Sequence, residues 1–269
     1  MESTADRTLS PSEREGLAVT WLGHSTVLIE LDGVRLLTDP VLGARVGPLR
    51  RMAPPVPAGA TRAVDAVLLS HLHADHADRR SLRMLDPGTQ VIAPVGAARW
   101  LSRRGLRTVR ELRPGEEASV GGVRVRATSA NHPPGRWRER TGTAPVGFVA
   151  SASQAVYFAG DTDLFAGMSA LAGSIDLALL PVSGWGPTLG PGHLDPARAA
   201  EAAEMIAPRL AIPIHWGTLA APWPLRARGT PRAPADLFAE LTSRRAGGVE
   251  VRVLAPGERL ELVGADRRR

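Results

Sequence analysis

The chain has 269 residues, 43% of them hydrophobic and 22% charged, with no apolar run approaching the ~20 residues of a membrane-crossing helix. It contains no cysteine, which excludes disulfides, thiol catalysis and thiolate metal ligands together. The net charge is +6 and all 33 basic residues are arginine, a usage that coding bias explains as readily as an anion-binding surface.

Residues 1–16 are polar, of mixed charge and without the apolar core of a signal peptide, which predicts a loose N-terminal segment and a cytoplasmic protein. Residues 17–22, 27–31 and 34–38 read as strands, with a turn at Gly23-His24-Ser25 and a hairpin signal at Asp32-Gly33. Asp39-Pro40 ends the third with a carboxylate at its tip. Residues 43–63, rich in Gly, Pro and Arg, predict a long surface loop of the kind used for binding.

The run 64–69 is apolar and rich in β-formers, so it predicts a buried strand delivering Ser70-His71-Leu72-His73-Ala74-Asp75-His76 to a sheet edge. His71 and His73 share a face if the segment stays extended, while Asp75 and His76 approach from another side. A lone histidine is more often a satisfied structural residue than a ligand. Four coordinating groups within six residues differ, because burying them without a cation leaves several polar atoms needing partners at once. Imidazole with carboxylate is the donor set that suits zinc and other borderline divalent metals.

Further along, a helix is predicted at 79–85, a strand at 90–93 and an amphipathic helix opening at Pro94 and closing before Gly105. Strands follow at 108–112, 117–120 and 123–129, the last delivering Asn131-His132. Strands at 147–151 and 155–159 lead to Gly160-Asp161, and 175–180 to a Gly/Pro-rich loop carrying Trp185. Asp195-Pro196 reads as the cap and first residue of a helix to Ile206. A strand at 210–214 ends at His215-Trp216-Gly217; a helix at 233–245 and strands at 249–254 and 259–262 finish the chain. Thus His76, His132, Asp161 and His215 all lie just past strand ends, where layered sheet folds build their sites. Trp185 and Trp216 are read as core residues, with a pocket wall as the alternative. The clusters Arg50-Arg51, Arg103-Arg104, Arg136/Arg138/Arg140 and Arg267–Arg269 are read as solvated faces, except the group after His132, placed beside the site.

The motif His71-Leu72-His73-Ala74-Asp75-His76, with His132, Asp161 and His215 in order behind it, resembles the metallo-β-lactamase superfamily. Trp21-Leu22-Gly23-His24-Ser25-Thr26, Leu37-Thr38-Asp39-Pro40, Phe158-Ala159-Gly160-Asp161-Thr162, His193-Leu194-Asp195-Pro196 and Ile214-His215-Trp216-Gly217-Thr218 resemble the branch of ascorbate-6-phosphate lactonase and N-acylphosphatidylethanolamine phospholipase D. The resemblance implies an α/β, four-layer αβ/βα sandwich occupying one domain at 17–265, with a basic tail at 266–269.

It further implies two zinc ions, with Mn or Fe as substitutes. His71, His73 and His132 would hold one, Asp75, His76 and His215 the other, and Asp161 would bridge. Asp39 would support the histidine loop, and His24 and His193 would lie near the pocket; Asp75, Asp161, His24 and His193 are the catalytic candidates. The implied activity is hydrolysis of a phosphodiester or phosphorylated lactone by a water activated between the ions. The alternatives are a lactonase of non-phosphorylated substrates, a nuclease, a diiron redox protein and a non-catalytic metal or nucleic-acid binder. The expected partner is a small anionic substrate; nothing points strongly to nucleic acid or membrane, and a homo-oligomer stays open.

Overall fold

The computed structural model describes residues 16–106, 108–133, 143–186, 188–222 and 231–262. The first half runs β1 (Leu17–Gly23), β2 (Thr26–Leu31), β3 (Val34–Thr38), β4 (Arg45–Val46), β5 (Leu49–Arg51), β6 (Ala66–Leu68), α1 (Arg79–Leu82), β7 (Gln90–Pro94), α2 (Ala97–Ser102) and β8 (Val109–Leu112). The second runs β9 (Glu117–Val120), β10 (Val123–Ser129), β11 (Val146–Ser151), β12 (Ala155–Phe158), a 3-10 helix (Ala166–Leu171), β13 (Leu177–Pro181), α3 (Pro196–Ile206), β14 (Leu210–Ile214), β15 (Leu219–Ala220), α4 (Ala233–Arg245), β16 (Glu250–Val251) and β17 (Arg259–Leu262).

Two seven-stranded sheets result, ordered β17-β1-β2-β3-β6-β7-β8 and β16-β14-β13-β12-β11-β10-β9. Each is antiparallel at one side and parallel at the other: β3, β6, β7 and β8 run parallel in the first, and β12, β13, β14 and β16 in the second. The facing sides share one core in which Trp21, Ile29, Leu36 and Leu68 of the first sheet meet Val125, Phe148, Phe158 and Leu179 of the second. On the outer side of the first sheet, Leu28, Leu37 and Val67 pack with Leu82 of α1 and Ala97 and Leu101 of α2. Helices α3 and α4 cover the second sheet against β13, β14 and β16. These are the four expected layers. Because β6 is covered on both faces, with Ala66 and Leu68 inward and Val67 outward, its run is continuously apolar rather than alternating.

The topology gathers the loops at one end. β1, β3 and β6 share a direction, as do β10, β12, β13 and β14, so the chain leaves all seven toward the same rim. There the sheets are tied to each other: the Val146 amide donates to Ser70 O at 3.0 Å, and the His215 amide to His24 O at 2.9 Å. Gly160 lies against this tie with φ +61°, and a Cβ there would come within 2.6 Å of Ser70 Cβ, so only glycine fits.

Several expectations change. The 43–63 segment is not a plain loop, because β4 and β5 pair with β15 as a three-stranded sheet over a small core of Val41, Val46, Leu49, Leu219 and Ala221. Its partner β15 is remote in sequence, so local composition could not reveal the pairing. Pro94 ends β7 instead of opening a helix; Gly96, at φ +94°, turns the chain, and α2 starts at Ala97. Helix α1 stops at Leu82, short of residue 85, and strands β6 and β16 are shorter than expected. Arg51 is not on a solvated face: its guanidinium donates to the carbonyls of Pro54, Val41 and Leu22 and binds β5 to the end of β1. The expectations for residues 1–15, Arg136, Arg138, Arg140 and the basic tail lie outside the described residues. Among the described residues no helix is long and apolar enough to cross a membrane.

Candidate metal centre

All seven histidines of the sequence converge at the common rim, in contact with Asp39, Asp75 and Asp161. His24 follows β1, Asp39 follows β3 and the 71–76 turn follows β6. His132, Asp161, His193 and His215 follow β10, β12, β13 and β14. His24, Asp39 and His215 adopt positive φ, at 53°, 28° and 63°, a conformation that side-chain-bearing residues keep only where the surroundings impose it.

His71, His73 and His132 form one donor group. His71 Nε2 lies 2.9 Å from His73 Nδ1, which lies 3.2 Å from His132 Nε2. The outer nitrogens are committed elsewhere. Ser70 Oγ donates to Asp39 at 2.5 Å, so it accepts from His71 Nδ1 at 2.9 Å, and His132 Nδ1 donates to Gly192 O at 2.7 Å. His71 and His132 therefore turn lone pairs inward, leaving at most one N–H, that of His73, among three crowded acceptors. Spacings of 2.9 and 3.2 Å are near the ~3.3 Å separating tetrahedral donors with Zn–N bonds of about 2.0 Å.

The second group is His24, Asp75, His76 and His215. His76 Nδ1 donates to Asp39 Oδ2 at 2.6 Å and His215 Nδ1 to Ser183 O at 2.6 Å, so their Nε2 atoms face each other at 3.2 Å. Asp161 reaches both groups. Its Oδ2 is 3.1 Å from His76 Nε2 and 3.3 Å from His193 Nε2, its Oδ1 is 3.3 Å from His215 Nε2, and it shares a donor cluster with His132. Asp161 Oδ1 is buried without a hydrogen-bond partner. Opposed lone pairs and an orphaned carboxylate oxygen are what a divalent cation satisfies, and imidazole with carboxylate fits zinc, manganese or ferrous iron.

The electrostatics agree. Burial, with the His76 charge next, holds His71 well below the ordinary imidazole value and lowers His73. Burial brings His132 to about 4 and His215 to about 3, so these nitrogens stay open as donors at neutral pH. Burial would raise Asp75 and Asp161. For Asp75 the charge on His76 and the His24 hydrogen bond outweigh it, and for Asp161 the imidazoles of His215 and His76 do, so both lie well below the carboxylate range. His76 is pushed well above its ordinary value: burial opposes its charge, but the carboxylates of Asp161 and Asp75 prevail. A proton on His76 is thus the bare protein's substitute for a cation at this point.

The remaining candidates take distinct places. Asp39 accepts the Ser70 amide at 2.7 Å, the Ser70 hydroxyl and His76 Nδ1, so it supports the histidine turn as expected. His24 Nε2 lies 3.2 Å from Asp75 Oδ2, and its ring centroid lies 3.9 Å from that of His215, the rings tilted by 37°. His193 is more open, with a side chain 22% exposed. Its Nδ1 donates to Gly190 O at 3.0 Å. Burial opposes its charge, but the Asp161 hydrogen bond raises its pKa.

Trp216 is buried against Trp21, with ring centroids 4.6 Å apart, in agreement with a core role. Trp185 departs from that expectation: it is 39% exposed, and its indole N–H donates to Asp75 Oδ2 at 3.0 Å. Sequence reasoning also gave no role to Ser70, or to the carbonyls of Ser183, Gly190 and Gly192 behind three histidines. Ser70 precedes the motif directly and could have been suspected; backbone carbonyls leave no trace in residue identity.

A family model described as a β-lactamase superfamily domain matches residues 34–216, from β3 through β14. A metal-dependent hydrolase of Opitutus terrae is 34% identical over 91% of this chain and 100% of its own length. N-acyl-phosphatidylethanolamine-hydrolyzing phospholipase D 1 of Caenorhabditis elegans is 30% identical over 86% of this chain and 71% of its own. Among solved structures, the metallo hydrolase Igni18 of Ignicoccus hospitalis superposes with a TM-score of 0.71 at 25% identity, covering 92% of this chain and 98% of that one. With the family model covering residues 34–216, which hold every histidine but His24, the chain belongs to the metallo-β-lactamase superfamily and is a metal-dependent hydrolase related to its N-acylphosphatidylethanolamine phospholipase D branch.

Proposed function

We propose that the chain hydrolyses a phosphodiester in a small anionic substrate at a dinuclear zinc centre. His71, His73 and His132 would hold one ion and Asp75, His76 and His215 the other, with Asp161 placed to serve both. The observation that carries this reading is Asp161, whose carboxylate faces both donor groups and keeps one buried oxygen without any partner. The phosphodiester follows from the likeness to an enzyme named for hydrolysing a phospholipid. The arginines expected to grip the anion, Arg136, Arg138 and Arg140, stay an expectation from sequence.

Bound at this position, a pair of divalent ions supplies an activated water and neutralises charge on the scissile group. The protein's own groups do the rest. Asp39 and Ser70 fix the tautomers of His76 and His71, so that Nε2 of each points inward. The carbonyls of Gly192 and Ser183 do the same for His132 and His215. His193, with Nδ1 tied to Gly190, carries its mobile proton on Nε2 beside Asp161, in a partly exposed position from which it can protonate a departing alkoxide.

The test is chelator-stripped protein reloaded with Zn or Mn and assayed on bis(p-nitrophenyl) phosphate and a lactone panel, beside His73→Ala. Diester turnover that needs metal and is lost in the variant supports the reading. Lactone turnover alone moves the substrate to the lactonase side, and full metal content with full activity in His73→Ala overturns the centre itself.

A further inference from the structure

One loop, between β13 and α3, braces both halves of the centre. Its Ser183 carbonyl takes the Nδ1 proton of His215, its Gly190 carbonyl that of His193 and its Gly192 carbonyl that of His132. Gly192 is pressed onto the His132 segment so closely that a Cβ would lie 2.3 Å from Pro133 Cδ and 3.0 Å from His132 Cα. Trp185 leaves this same loop. Its N–H reaches Asp75 Oδ2 at 3.0 Å, yet the side chain remains 39% exposed, one of four large hydrophobic residues so exposed among the described residues. A core tryptophan is covered, and a casual surface tryptophan is not hydrogen-bonded to a carboxylate of the site. Trp185 is neither: part of its indole stays in solvent beside the centre while its polar edge is fixed to Asp75.

We propose that Trp185 is the specificity-determining residue of the centre: its exposed indole face receives a planar or apolar group carried beside the scissile phosphate. Its N–H is a positioning contact, sharing Asp75 Oδ2 with His24 Nε2, which lies 3.2 Å away, and so aiming that carboxylate. The proposal rests on the dinuclear reading above. A planar group meets indole at low entropic cost, because the hydrogen bond to Asp75 already holds the ring. Substrates with only small or strongly polar groups at that position gain nothing from it.

The two functions separate by substitution. Trp185→Phe keeps a flat apolar face and loses the N–H; Trp185→Ala loses both. Calorimetry on Zn-loaded protein with phenyl phosphate and methyl phosphate reads the face without any turnover. The wild type is expected to bind the phenyl ester roughly tenfold more tightly, a preference kept by Trp185→Phe and abolished by Trp185→Ala. Competition with a chelator reads the N–H: the more weakly held zinc is expected to be lost at about tenfold lower chelator in Trp185→Phe. On phenyl and methyl p-nitrophenyl phosphate, Trp185→Ala should raise KM for the phenyl diester alone, while Trp185→Phe should lower kcat with KM kept.

A wild-type protein that binds both monoesters equally, or a Trp185→Ala protein that keeps the preference, overturns the proposal. Unchanged zinc retention in Trp185→Phe overturns the positioning contact. Absence of diester turnover in the wild type refutes the reaction instead, and the binding preference still decides Trp185.

Discussion

The amide of His215 donates to the carbonyl of His24 at 2.9 Å, joining the end of β14 in one sheet to the end of β1 in the other, with both residues at positive φ. The reciprocal His24 amide is taken by Thr218 Oγ1 at 2.6 Å. Thr218→Val keeps the shape and leaves that buried amide unpaired, so it should cost about 1–3 kcal/mol in urea unfolding. A loss under 0.5 kcal/mol would show that the strap is dispensable.

Gly160 is the second point of sheet-to-sheet closure. Gly160→Ala adds a methyl 2.6 Å from Ser70 Cβ at φ +61°, where alanine is strained as well. Left-handed backbone and overpacking together should cost roughly 2–4 kcal/mol, with loss of metal as Ser70 is displaced. Normal stability with two metal equivalents by elemental analysis would contradict this.

Asp39 touches no expected substrate atom, yet it takes both Ser70 donors and the His76 Nδ1 proton. Asp39→Asn puts an amide N–H where one of these donors points and turns the His76 tautomer. Metal affinity should fall about 10–100-fold with the fold intact, as chelator competition and circular dichroism would show. A variant that holds zinc like the wild type would limit Asp39 to folding.

His193→Gln removes the proton carrier while keeping a hydrogen-bonding side chain. Turnover of a diester with an alkyl leaving group should fall about 100-fold in kcat with both metal equivalents retained, and the loss should be much smaller for bis(p-nitrophenyl) phosphate, whose p-nitrophenolate leaves without a proton. An equal loss across leaving groups would assign His193 to another step.

Stability of the metal-free protein should fall on acidification below neutral. His71, His73, His132 and His215 are neutral in the fold, with His132 at about 4 and His215 at about 3, whereas the unfolded chain takes up those protons near 6.5. Between pH 6.5 and 4 the unfolded state binds more protons at these sites, so their contribution is present above 6.5 and lost as pH falls. His76 and His193 are raised, and theirs runs the other way: present below 6.5 and lost as pH rises through their higher values. Four sites against two give a net loss. The melting temperature of chelator-treated protein should be lower at pH 5 than at pH 7.5, with a steeper drop when zinc is bound, because protons then compete for its ligands. A higher melting temperature at pH 5 would reverse the assignment.

Most of the strands, and the histidines and aspartates that the fold brings together at one rim, were legible from the sequence, because both signals are local. Continuous apolar runs such as 66–69 and 210–214 mark strands covered on both faces, and three histidines within six residues leave few bland explanations. Asp195-Pro196 announced α3 through cap chemistry that needs no distant partner, and Asp195 does accept the Arg198 amide at 2.8 Å. Other features depended on chain segments meeting. The β4–β5 hairpin exists as a sheet only because β15 pairs with it, and Arg51 points inward only because Leu22, Val41 and Pro54 offer carbonyls there. The supports of His132, His193 and His215 are backbone oxygens of one loop, acceptors that every residue type carries. Residue identity therefore carries the chemistry of the centre, while the register of two sheets decides which lone pairs meet, which carboxylate oxygen is left unpaired and which indole stands exposed beside it.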